Sequence, residues 1–137
     1  MPEGVGYAST NVVAAAGLDL NYVEDRVFAY SGLQAATTAV KTYLEFQTGA
    51  KTIVGTLQVN GPVDDDDPTV GAASASEVLV NGVKIALLKT DSDQEDMPAS
   101  NTMKVVLPPY TNFLATMVDN ANQGDRYGSM SFTGKVI

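Results

Sequence analysis

The side chains of this sequence with the greatest capacity for chemistry are carboxylates. Asp64, Asp65, Asp66 and Asp67 stand in one uninterrupted run, and Asp91, Asp93, Glu95 and Asp96 form a second cluster. Several oxygen ligands in one loop suit calcium, a hard cation. Neighbouring carboxylates also repel one another and hydrate well, so a run of aspartates ahead of Pro68 reads as a solvated loop. In the DSDQED segment, Asp91, Asp93 and Glu95 alternate as in an EF-hand loop. Asp96, however, takes the place of the tight-turn glycine, and Thr102 that of the bidentate glutamate. The template fails, so no metal ligand is assigned, and whether either loop takes up a cation stays open.

Glycoside hydrolysis needs one acid in an apolar pocket and a second at a defined separation. Half of the sixteen acids sit in the two clusters and the others are scattered, so no such pair is discernible. Histidine and cysteine are absent, which removes Ser-His and Cys-His nucleophiles, His-ligated zinc and disulfides. No catalytic residue and no cofactor is expected, and the chain is not read as an enzyme. The aromatics Tyr22, Phe28, Tyr30, Tyr43, Tyr110 and Tyr127 could stack on sugar rings. Tryptophan is absent, and strand spacing accounts for Phe28, Tyr30 and Tyr43 as core or sheet-face residues.

The formal charge is −8, but it is local: the two clusters hold eight acids and no base, and the remaining chain balances. Nucleic acid and anionic membrane surfaces recruit basic patches, so neither is an expected partner. No apolar run approaches the ~20 residues of a membrane span. The nearest, Val12 to Leu20, contains Gly17 and Asp19 and follows no basic segment. The expectation is a cytosolic product or a particle component.

What must position these residues is a set of strands. In Ser76–Lys89, apolar and polar residues alternate on both sides of Asn81-Gly82, a pair that takes positive φ at both central positions of a type I′ turn. Alternation also predicts strands at about 26–31, 38–47, 51–60, 102–107, 111–118 and 128–137. The segments 38–47 and 51–60 read as a second hairpin across Thr48-Gly49-Ala50, and Gly61-Pro62 as the end of its second strand. No stretch carries a helical period. Residues 1–25 show neither clean alternation nor a helical stripe and read as an N-terminal arm, packing on something else or on a neighbouring subunit. The fold class is therefore all-β, an antiparallel β-sandwich of about eight strands over 26–137. A jelly roll is the leading topology and an immunoglobulin-like sandwich the alternative.

The strand sequences LEFQTGAKTIVGTLQVN (44–60), VLVNGVKI (78–85), LPPYTNFLATM (107–117) and SMSFTGKVI (129–137) resemble small jelly-roll proteins of tailed-phage virions, the capsid decoration (cement) proteins and head-fibre bases. The resemblance covers 27–137. It implies a homotrimer on the capsid exterior, with the major capsid protein as partner and no catalytic residues. A cement protein needs apolar contact area, and the arm residues Val5, Tyr7, Val12, Val13 and Leu18 are the candidates for it. The other function compatible with these residues is a receptor- or carbohydrate-binding module of a phage fibre or tail.

Overall fold

Alternating β-branched, aromatic and polar side chains form ten strands within the residues that the computed structural model of the chain describes, 19–64, 73–91, 100–119 and 126–137. These are β1 (Asn21–Val23), β2 (Arg26–Tyr30), β3 (Gln34–Ala35), β4 (Lys41–Gln47), β5 (Ile53–Asp64), β6 (Ala73–Val80), β7 (Val83–Asp91), β8 (Ser100–Leu107), β9 (Asn112–Asp119) and β10 (Arg126–Val136). One sheet runs β4-β9-β6-β7. The other runs β1-β2-β10-β5-β8, with β3 paired to β10 as its sixth strand. All pairings are antiparallel.

Setting aside the short β1 and β3, the long strands lie in the order first-eighth-third-sixth in one sheet and second-seventh-fourth-fifth in the other. This is the jelly-roll arrangement of two interleaved Greek keys, and it excludes the immunoglobulin-like order.

The Asn81-Gly82 turn has the expected form, with φ of 51° and 80°. The second expected hairpin does not exist. β4 pairs with β9, and β5 pairs with β10 and β8, so the chain passes from one sheet to the other between Gln47 and Ile53. That crossing is held by the distant Pro108–Thr111 segment. Thr48 Oγ1 donates to the Pro108 carbonyl (2.8 Å) and accepts from Thr111 N (2.8 Å), while Tyr110 N donates to the Gly49 carbonyl (2.9 Å). A short connection between two alternating segments fits a hairpin or an arch between sheets equally well, and only these long-range bonds decide.

Gly61-Pro62 also fails to end its strand. Between Tyr127 and Ser129 the register of β5 against β10 slips by one residue, so β5 carries an extra residue at Gly61-Pro62 and continues to Asp64. A bulge is a place in a sheet where proline's missing N–H is tolerated.

The core between the sheets is built on three rings, Phe46, Phe113 and Phe132, with centroids 5.0, 5.3 and 5.6 Å apart. Leu44, Ile53, Leu57, Leu107, Met117 and Met130 surround them and are buried. Phe132 fits because its diagonal neighbour on the adjacent strand β5 is Gly55, where a Cβ would lie 2.8 Å from both Phe132 Cε1 and the Thr133 carbonyl.

Candidate functional site

The two outer faces of the sandwich differ in chemistry, and each is set by local strand geometry. β7 is the terminal strand of the four-stranded sheet. Its register shifts between Val78↔Ala86 and Leu79↔Lys84, which makes Ile85 the extra residue of a β-bulge. Ala86 and Leu88 then pack on the core and Thr90 is buried, whereas Ile85 and Leu87 are 45% and 52% exposed. Simple alternation groups Ile85 and Leu87 with one face without saying which face is wet; the bulge and the core contacts settle it. Leu79, Leu114 and Val118 lie half-buried on the same outer face. One ion pair, Lys84 Nζ to Glu77 Oε2 at 2.8 Å, sits beside this patch.

The described first residues of the two acidic segments, Asp64 and Asp91, lie at strand ends on one end of the sandwich. Asp64 pairs with Arg126, Asp91 with Ala73 and Asp119 with Ser74, and the 36–37 backbone joins both sheets through Ala36 N to the Arg126 carbonyl and Asp119 N to the Thr37 carbonyl, each 2.8 Å. Asp91, Asp119 and Arg126 are buried there. Asp65, Asp66, Asp67, Asp93, Glu95 and Asp96 lie outside the described residues, as do the arm residues Val5, Tyr7, Val12, Val13 and Leu18. Among the described residues no group of three or more carboxylates is placed to hold a metal ion.

Tyr43 is the other polar group drawn into this end. It is the extra residue of a bulge in β4, where Leu44 pairs with Ala115 and Thr42 with Thr116. Its hydroxyl donates toward the Gln34 and Ala35 carbonyls at 3.1 and 3.2 Å. Burial, reinforced by the Asp119 carboxylate, pushes its phenol up to about 12, so it is a neutral structural donor.

The outer face of the six-stranded sheet is polar and basic. Its long strands turn Arg26, Lys104 and Lys135 outward, with Asp25 beside Arg26 and Lys135. Alternation in β2 buries Val27 and Ala29 and turns Phe28 and Tyr30 outward, their ring centroids 5.2 Å apart. Across the ladder, Tyr30 faces Ser131, Phe28 faces Thr133 and Arg26 faces Lys135. All of these except Ser131 line a groove of about 400 Å³.

The six aromatics considered from the sequence do not form one platform. Tyr43 is in the core, Tyr22 Oη accepts from Gly49 N (3.4 Å), and Tyr110 stands on the 108–111 connection. Only Phe28 and Tyr30 come together, among the described residues. The basic partners of that pair were not legible beforehand, since Lys135 is more than a hundred residues away in the chain and reaches Arg26 only through the β2–β10 pairing.

Compared with known protein families the sequence matches no family model, and among curated proteins it finds no significant match. What fold and surface define is a jelly-roll sandwich with one apolar outer face and one basic, hydroxyl-rich outer face.

Proposed function

We propose that this chain is a virion structural protein, a capsid decoration protein that binds the outside of a major capsid lattice as a homotrimer and stabilises it. In this reading it is made in the host cytoplasm and resides on the virion exterior. The observation that carries the reading is the apolar row of Ile85 and Leu87 on the terminal strand β7. A sheet edge offers unpaired N–H and C=O groups to another chain, and a contiguous apolar patch beside it marks a contact surface. Symmetric oligomers multiply such a contact by avidity, which suits attachment at many equivalent lattice points. The arm residues Val5, Tyr7, Val12, Val13 and Leu18 add apolar area to the same contact, and the acidic end steers association toward basic capsid patches.

The test is binding of purified protein to undecorated capsids of the source particle. The paired change Ile85→Asp and Leu87→Asp, which touches no core residue, is expected to leave the circular dichroism spectrum intact and abolish decoration. Removal of residues 1–18 is expected to do the same. Full decoration by both variants refutes the reading. Raised salt is expected to slow association, and a salt-independent rate removes the acidic end from the attachment step.

The Phe28–Tyr30 groove favours a second reading, a carbohydrate- or receptor-binding module of a fibre or tail. Stoichiometry separates the two: a decoration protein is present at the copy number of the lattice, a fibre module at that of a vertex or tail.

A further inference from the structure

We infer that the groove on the outer face of the six-stranded sheet is a binding site for an acidic saccharide, one whose sugar rings carry carboxylates. The inference deepens the second reading by naming a ligand class and a site, and it is compatible with the first, because this face lies opposite the β7 patch proposed for lattice attachment.

Three observations converge on it. First, Arg26 and Lys135 are directly opposed across β2 and β10, where like charges repel and an anion is favoured between them. The acid beside them, Asp25, lies 3.9 Å from Arg26 Nε and 3.7 Å from Lys135 Nζ, longer than a hydrogen bond, so both cations keep donors for a ligand. Second, Phe28 and Tyr30 adjoin this pair on the same face of β2, and Tyr30 is 37% exposed, so a flat apolar ring face is available one and two positions along from the charge. The C–H face of a pyranose covers such a ring while its hydroxyls remain free to hydrogen-bond. Third, Thr133 in the groove lining and Ser131, the next outward position of β10 beyond it, present hydroxyls that donate to and accept from sugar hydroxyls.

The combination selects among ligands. A neutral glycan leaves two opposed cations sharing the single Asp25 carboxylate, one net positive charge unmatched. A simple anion makes no use of the rings. Nucleic acid would need a broader basic surface than a chain of charge −8 provides. A uronate-type sugar satisfies all three elements within the groove.

The experiment is calorimetric titration of the full chain with a galacturonate trimer and, separately, with maltotriose. Binding of the first and not of the second is expected. Arg26→Gln and Lys135→Gln should each weaken it by roughly tenfold and remove its salt dependence in part, and Tyr30→Ala should weaken it by a similar factor while Tyr30→Phe retains it. All three positions are on the outer face, and unchanged thermal melting confirms that the four variants fold. Absence of binding at millimolar trimer overturns the inference. So does binding that needs the two cations but survives Tyr30→Ala, which is a charge patch and not this groove. Capsid decoration by these variants is measured in parallel: its retention leaves the attachment reading untouched whatever the saccharide result.

Discussion

Gly55→Ala is the most exacting test of how the sheets meet. The added methyl would point into the core and lie 2.8 Å from Phe132 Cε1 and 2.8 Å from the Thr133 carbonyl. The ring cannot swing aside freely, because its centroid is 5.3 Å from Phe46 and 5.6 Å from Phe113, all three side chains being buried. The carbonyl belongs to β10, which pairs with β5 at this point, Gly55 facing Gly134. Overpacking of a well-filled core costs about 1–3 kcal/mol, and a clash that includes backbone belongs in the upper half of that range. A domain of this size loses about 3–4 °C of Tm per kcal/mol, so Gly55→Ala should melt roughly 6–10 °C below wild type. Urea unfolding should show a lower midpoint with an unchanged slope, the signature of lost stability rather than altered compactness. Phe132→Leu removes the ring edge, so the double variant should lose less than the sum of the two single changes. A Gly55→Ala protein with wild-type melting would refute the packing of Phe132 over β5.

Gly82→Val should destabilise by more than ~1 kcal/mol although no atom lies within 4 Å of the new Cβ; the cost is the φ of 80°, which a β-branched residue resists, and chemical denaturation measures it. Thr48→Val strands the buried Thr111 N–H and frees the Pro108 carbonyl, at about 1–3 kcal/mol, whereas Thr48→Ser should remain close to wild type in the same assay. The Tyr43 phenol is raised from 10.0 to about 12, so the folded state holds a proton that the unfolded chain gives up earlier. Stability from this group is complete below pH 10 and falls as pH rises from 10 toward 12; a Tyr43→Phe protein should lack that component of the alkaline decline in Tm.

Strand positions were legible because they depend on neighbours in sequence. Alternation separates Val27 and Ala29 from Phe28 and Tyr30 on β2, and Asn81-Gly82 has one turn it forms readily. The candidate sites were less legible. Ile85 and Leu87 read as ordinary strand apolars until the bulge turns them to solvent, and a bulge depends on the partner strand as much as on its own residues. Strand spacing likewise left Tyr43 as either a core or a sheet-face residue, and the bulge at that position buries it.

The amino-acid order by itself determined an all-β sandwich, the approximate bounds of eight strands, the tight turn at 81–82 and the separation of acidic runs from a balanced remainder, since each follows from local sterics, period-two patterning or charge counting. The tertiary structure decided which strands become neighbours: β4 beside β9 instead of β5, and β2 beside β10. Hydrogen-bonding edges are chemically alike along every strand, so partner choice is set by how whole faces pack around Phe46, Phe113 and Phe132. The same choice brings Arg26 opposite Lys135 and the acidic strand ends to one end of the sandwich.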